Sequence, residues 1–551
     1  MDRTDADRSR PWEPGLVLVL ILAVYYGALQ NGQWAPISDA DLYIPIARSL
    51  ALGHGFLFNG MVVRAVPPGW PIVLAGAMLV SGSFWFLNVL QMCVMLGAFL
   101  LFYRIMLRLT SVRGAFIVCL TAGMLSPCYH RTFLLHSEPL FCLIEAGAVL
   151  LAMQANEGRS ASWRLLLVLA LTAAATMVRW AGILVCPVII GALLSGHFRP
   201  AWNRLWLCAV LTGVVAFGTF FGVRYALEQI ALAYPAQPQA LTYAANEHPI
   251  MSDLRGFVGR LPRSGVWFCN LLAEPASVGA SFRPVRVAAY VVGWVLLAFF
   301  LAGTLPLIRR SSWVVPGAFA YSLGFFGMWD NPSPRYLMPV APFLLLGILN
   351  GVHLLGEVGP AAVWRRLRRV VLVGLFVGIA ACNLSLYAVD VCILHSDNVY
   401  ANYLAGQTKP LIAIASYLRG HGVKDGQVVR SFMTRCKEGV SPTTGRLLDV
   451  RGLFLLIDKT ILTLPRNMSG PPDASITKWA IDQGARYYIE RLPINPWRVW
   501  HFRVPWLQRL VTGKPAGKTN QYFVLYELQD GRFQRVHVPS WNGRIGRVPD
   551  L

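Results

Sequence analysis

Two carboxylates, Asp39 and Asp41, stand in the segment Ser38-Asp39-Ala40-Asp41-Leu42-Tyr43, just beyond the first long apolar run. At a membrane edge a carboxylate can take a proton from a hydroxyl or amine arriving from water, or help to hold a divalent cation. An Asp ahead of an amphipathic stretch can also serve only as a helix cap, its oxygens accepting the unpaired N–H groups of the first turn. A second set is basic: Arg64, Arg131, Arg179 and Arg335, with His54. Guanidinium suits a phosphate leaving group, because its planar fork meets two oxygens at once. The bland alternative for any one of these arginines is a snorkelling side chain that anchors a helix end. Arg179 and Arg335 carry more weight, since each interrupts apolar sequence, where charge is costly without a partner or a task. The third candidate is Glu138 in His136-Ser137-Glu138-Pro139. Its charge favours a helix N-terminus, and it could pair with Arg131 or face an acceptor.

The elements that must hold these residues are read from hydropathy. Of 551 residues, 55% are hydrophobic and 14% charged, with a mean hydropathy of +0.50, too apolar for a water-soluble globule. Runs long enough to span hydrocarbon recur from Leu16 to about Tyr387 and then stop. They predict about eleven transmembrane helices, near Leu16–Leu29, Phe84–Phe102, Gly114–Leu125, Leu140–Met153, Leu165–Met177, Ala181–Leu194, Leu205–Tyr225, Val287–Leu307, Trp313–Met328, Leu337–Leu355 and Val370–Tyr387. Short pairs around Arg179 and Pro127 leave about ten or twelve as alternatives. The intervening short loops hold Arg104, Arg108 and Arg113, then Arg159 and Arg164, Arg199 and Arg204, Arg309 and Arg310, and finally Arg365, Arg366, Arg368 and Arg369. All five agree on one cytoplasmic side. Residues 30–83, 226–286 and everything after 387 then lie on the outer face, which in a bacterium is extracytoplasmic. The same loops account for much of the formal charge of +22. Without the interleaved exposed aromatics of a strand-binding groove, that charge does not point to nucleic acid.

Leu42 to Leu52 reads as an amphipathic interfacial helix, stopped by Gly53-His54-Gly55. Pro67-Pro68-Gly69 makes a turn before Ile72 to Val80, which is expected to dip into the membrane surface. The chain thus divides into a membrane module, 1–387, and a small soluble α/β domain, 388–551. In the second part Ala413 to Gly420 and Ile476 to Gln483 read as helices, and Gln427 to Ser431, Ala485 to Glu490 and Tyr522 to Leu528 as strands. The ten cysteines form no CxxC pair. Six of them, Cys93, Cys119, Cys142, Cys186, Cys208 and Cys382, fall in apolar runs as small hydrophobes, and no metal site is expected. Met1 to Pro14 lacks the basic start and cleavage site of a signal peptide, so the first apolar run reads as an anchor.

Several segments in order resemble the GT-C superfamily of membrane glycosyltransferases. Asp39 with Tyr43, then Ala47-Arg48-Ser49-Leu50, Gly53-His54-Gly55-Phe56 and Pro67-Pro68-Gly69-Trp70-Pro71 look like its first outer loop. Ser126-Pro127, Ser137-Glu138-Pro139-Leu140-Phe141, Val178-Arg179-Trp180-Ala181-Gly182 and the run from Pro334-Arg335-Tyr336 to Pro342 continue the likeness through the membrane region. It is similar in particular to bacterial relatives of protein O-mannosyltransferases and lipid A aminoarabinose transferases. The resemblance implies inverting transfer of a sugar from a polyprenyl-phosphate-linked donor to an extracytoplasmic glycan, lipid or protein acceptor. The setting would be the inner (plasma) membrane, with membrane lipids as partners and no cofactor, a divalent metal being the open alternative. Asp39 is the matched outer-loop acid. Where members often carry Glu after that Asp, this chain has Ala40, which leaves Asp41 as a stand-in. On the chemistry above, Arg64, Arg179 and Arg335 are the expected donor-phosphate ligands, with Tyr43, His54, Arg131, Glu138 and Tyr336 as further candidates. A transporter or flippase of lipid-linked glycans would instead need coupling charges near the midplane and related halves. The suspicious charges here sit at the rim, and no internal repeat is visible. A third reading is a non-catalytic relative acting as a scaffold, which Ala40 supports.

Overall fold

The computed structural model describes residues 12–32, 40–58, 61–63, 66–155, 161–195, 202–233, 283–309, 312–328, 334–354, 361–394, 408–424, 427–430, 461–463, 472–491 and 523–538. Asp39 and Arg64 lie outside them, as does most of the expected outer loop 226–286.

The chain opens with α1 (Glu13–Gly27) and the amphipathic α2 (Ala40–Ala51). A two-stranded antiparallel ribbon follows, β1 (Leu57–Phe58) with β2 (Met61–Val62). Next come α3 (Gly69–Val80), α4 (Phe84–Leu109), α5 (Val112–Met124), the short α6 (Ser126–His130), α7 (Glu138–Ala155) and α8 (Ala161–Val178). A 3₁₀ turn, Trp180–Val185, leads into α9 (Cys186–Leu194), and α10 (Trp202–Ala233), α11 (Arg283–Arg309) and α12 (Val314–Met328) follow. A second 3₁₀ turn, Pro334–Val340, precedes α13 (Ala341–Leu354) and α14 (Ala361–Leu394).

Among the described residues, six helical segments have the length and apolarity to cross a membrane: Phe84–Leu109, Glu138–Ala155, Ala209–Ile230, Val291–Arg309, Arg335–Leu354 and Val363–Ala388. Shorter apolar helices at Glu13–Gly27, Val112–Met124, Trp163–Val178, Trp180–Leu194 and Val314–Phe325 coincide with the remaining expected runs. Two expected helices begin differently. The runs at Ala181 and Leu337 start as 3₁₀ turns, because Pro187, Pro339 and Pro342 each remove a backbone N–H that a continuous α-helix would use. The segment expected to dip into the surface is the helix α3. A Cβ on its first residue, Gly69, would sit 2.8 Å from the Met177 carbonyl at the end of α8, so only glycine allows this approach.

Burial separates centre from periphery. The Arg335–Leu354 stretch is 78% buried, whereas Val363–Ala388 is 11% buried. Large apolar side chains such as Leu20, Val24, Leu79, Val80, Leu166, Val214 and Val370 are exposed. In water such a surface would be a liability; in a bilayer it is the wall that meets lipid.

Beyond α14 the described elements are α15 (Thr408–Gly420), β3 (Val428–Arg430), β4 (Ile461–Thr463), α16 (Ala474–Asp482), β5 (Tyr487–Arg491), β6 (Phe523–Gln529) and β7 (Arg532–Arg535). The strands form one sheet in the order β4-β3-β5-β6-β7, with β3 parallel to both neighbours and β5, β6 and β7 antiparallel. Asp530 and Gly531, both at positive φ, make the tight turn between β6 and β7. Tyr488 packs with Ile476 and Ala480 of α16, backed by Tyr526 and Phe533.

Candidate active site

The site grows from the break between α6 and α7. Pro127 starts the single turn of α6, and the chain then runs without regular structure to Glu138. Leu135 lies at φ 51, a left-handed conformation uncommon for a residue with a Cβ. The strain is held by packing and by the Trp70 indole, which donates from Nε1 to the Leu135 carbonyl at 3.1 Å. The turn delivers His136, Ser137 and Glu138, all buried, to the first turn of α7.

Glu138 is 1% exposed. Arg179, in the break after α8, brings Nη1 to 2.9 Å from its Oε2, and Arg335, in the second 3₁₀ turn, brings Nε to 3.5 Å from its Oε1. These contacts are ionic rather than aligned hydrogen bonds, so among the described residues neither carboxylate oxygen has a hydrogen-bond donor. Arg179 also donates from Nη1 to Ser137 Oγ at 2.9 Å, and the Tyr43 hydroxyl of α2 lies 3.1 Å from the same oxygen. Both arginines also lie against Tyr336. Each guanidinium carbon is 4.8 Å from its ring centre, Arg335 Nη2 donates to its hydroxyl at 3.0 Å, and its ring stacks on Phe325.

Arg131 donates from Nη1 to His136 Nδ1 at 2.9 Å. Arginine has only donors, so Nδ1 must accept and the proton of a neutral His136 must be on Nε2. The 3.7 Å separation of that Nδ1 from Glu138 Oε2 is therefore a contact between two acceptors, not an ion pair. Three guanidinium groups, those of Arg131, Arg179 and Arg335, thus gather around one carboxylate. Such a group has an excess of positive charge in a place with little water, which is what an anion site requires.

The structure brings together Tyr43, Arg131, Glu138, Arg179, Arg335 and Tyr336. His54 is exposed in the turn after α2 and is not part of these contacts. Asp41 lies on α2, the helix that supplies Tyr43. The sequence reading did not single out Tyr321, whose hydroxyl donates to the Tyr336 carbonyl at 3.0 Å. Nor did it single out Asp390, which is buried near the end of α14. Glu145, two turns along α7, is fully buried, and neither of its oxygens is hydrogen-bonded among the described residues. A charge inside an apolar run is a signal for Glu145 and Asp390. Tyr321 offers none, since tyrosine is common in such helices.

No family model matches the sequence, and no curated protein matches it. Solved structures do. ArnT from Cupriavidus metallidurans bound to undecaprenyl phosphate superposes with a TM-score of 0.54 at 12% identity, over 93% of this chain and 97% of that one. The same enzyme in the apo state gives 0.53 at 12% identity, over 86% and 92%. The oligosaccharyltransferase AglB from Archaeoglobus fulgidus, in complex with an inhibitory peptide and a dolichol-phosphate, gives 0.51 at 11% identity, over 95% and 74%. It is the fold of these solved structures that this chain adopts along most of its length.

Proposed function

We propose that the chain is a membrane glycosyltransferase that moves a sugar from a polyprenyl-phosphate-linked donor to an extracytoplasmic acceptor. The observation that carries this reading is the gathering of Arg131, Arg179 and Arg335 about the single carboxylate of Glu138 at one end of the bundle. In the reaction an acceptor hydroxyl oxygen forms a bond to the anomeric carbon as the bond from that carbon to the phosphate oxygen breaks. The leaving polyprenyl phosphate takes the bonding electrons, and the guanidiniums meet the charge that develops on it. The acceptor proton goes to an outer-loop carboxylate, Asp39 by the family likeness, and attack opposite the leaving group inverts the anomeric centre. The fold shared with enzymes solved with undecaprenyl phosphate and dolichol-phosphate supports the donor class. The arginine-rich short loops support an inner-membrane location with residues 388–551 outside.

The test is turnover with polyprenyl-phosphate sugars. A positioned base contributes about 10²- to 10⁴-fold. Asp39→Asn keeps the size and capping oxygen of the side chain, so it should express and melt like the parent while turnover falls at least about 100-fold. If Asp41→Asn is the dead variant and Asp39→Asn is active, the base moves by two residues. Parental turnover in both single variants and in the double would remove the outer-loop carboxylate from the mechanism.

A further inference from the structure

One edge of α14 is built to grip the segment that leads into the site. Asn383, Tyr387 and Asp390 are spaced by four and three residues, which puts them on a single face of the helix. Asn383 Oδ1 accepts the backbone N–H of Ser126 at 2.8 Å, capping the first turn of α6 from another helix. Tyr387 donates to the Tyr25 carbonyl at 2.6 Å and stacks on the Tyr25 ring, with Tyr129 edge-on to both. Asp390 receives two bonds on the same oxygen, Oδ2. The Tyr129 hydroxyl donates at 3.1 Å and His130 Nε2 lies at 2.7 Å, necessarily as the donor toward an ionised carboxylate. Asp390 and His130 are both buried.

Arg131 is the next residue after this pair. Its carbonyl accepts from Gln91 Nε2, and its guanidinium holds His136 beside Glu138. The backbone between the Asp390 contacts and the arginine is therefore one residue long, so a shift of His130 moves Arg131 with it. On the reading of the site as an anion site, we infer that Asp390 is a positioning residue, acting through Tyr129 and His130 to place Arg131 against the carrier phosphate. The feature lies outside the Glu138 cluster itself, and it makes the last membrane helix a support of the site.

The experiment uses the full chain in lipid nanodiscs, with undecaprenyl phosphate as the probe and affinity read per folded molecule. Asp390→Ala deletes the acceptor and should weaken binding about tenfold or more, the loss expected when one hydrogen bond to a charged group is misplaced. Asp390→Asn can keep an oxygen at the Oδ2 position, and His130→Gln can keep a donor at the Nε2 position. Each should recover most of the parental affinity. If Asp390→Ala does not fold, His130→Leu carries the test and must show the same loss. Parental affinity in folded Asp390→Ala, or a loss in Asp390→Asn equal to that in Asp390→Ala, would overturn the inference. Arg179→Ala separates the two levels. If it weakens binding and Asp390→Ala does not, only the positioning role fails. If Arg179→Ala binds like the parent, the anion-site reading falls and the inference with it.

Discussion

Arg179 and Arg335 are held by one carboxylate and one aromatic ring, so the consequences of removing Glu138 and of altering an arginine should differ in kind. Glu138→Gln leaves two guanidiniums in a buried setting without their counter-charge. Breaking a buried pair from one side costs about 3–5 kcal/mol, so this variant should be lost mainly through stability, with a clearly lowered melting temperature. Arg335→Lys keeps the charge near Glu138 but replaces the planar fork with a point charge. It should melt within a few degrees of the parent and lose most of its turnover with a polyprenyl-phosphate sugar. Thermal melting beside initial rates separates the two, and full activity in Arg335→Ala would return Arg335 to a purely structural role. The sequence showed these residues because each is a charge set in apolar surroundings. It could not show that they meet, since Glu138, Arg179 and Arg335 come from three different helix junctions. Nor could it pair His130 with Asp390, which are 260 residues apart and share no motif.

At the scale of elements, helix contacts in the bundle are set by small residues. Gly347 and Gly351 lie one turn apart on α13 and face α11, with Gly303 opposite. A Cβ on Gly351 would overlap the Phe299 carbonyl, and one on Gly303 would overlap the Gly347 carbonyl. Gly191 of α9 and Gly317 of α12 stand in the same relation to the backbones at Trp313 and Pro187. In lipid there is little hydrophobic gain from bringing helices together, so close backbone approach and dispersion contacts do that work. Gly351→Ala must push α11 from α13 and should destabilise by about 1–3 kcal/mol. On α14, Gly374 and Gly378 face open space, and Gly374→Ala there should be neutral or slightly favourable, since Ala is the better helix former. Melting temperatures of the two variants in one detergent check this, and equal values would mean that the α11–α13 contact is looser than described. The hydrophobic pattern gives the helices and most of their ends within a few residues. It does not give which helices touch, because a glycine that admits a neighbour looks the same in sequence as one that faces lipid.

At the scale of the whole molecule, the direction of each helix separates two rims. α7 begins at Glu138 and ends at Ala155, and α8, with Arg164 in its first turn, runs back to end beside Arg179. α9 leads from the Arg179 break and precedes α10, which carries Arg204 in its first turn, and α13 leads from the Arg335 turn and precedes α14, whose first turns carry Arg365, Arg366, Arg368 and Arg369. α14 starts in that cluster and reaches Tyr129 and His130 with Asp390 near its other end. Among the described residues, α7, α8, α9 and α13 each have one end at the Glu138 cluster, and α14 runs from its arginines to the segment that leads into that cluster. Long-range packing puts the Glu138 cluster and the arginine-bearing helix starts at opposite ends of these helices, and which end is cytoplasmic rests on the arginine bias alone. If the arginine-rich rim is cytoplasmic, the Glu138 cluster lies toward the outer face, where on the proposed reading a lipid-linked donor would meet an acceptor from water. A reporter active only outside the cytoplasm should therefore be active when fused after Leu551 and silent when fused after Arg369, with a cytoplasm-only reporter giving the opposite pattern. Activity after Arg369 and silence after Leu551 would put the Glu138 cluster on the cytoplasmic side. An extracytoplasmic acceptor could not then reach it, and the proposed reaction would have to be abandoned for this chain even if every residue contact stood.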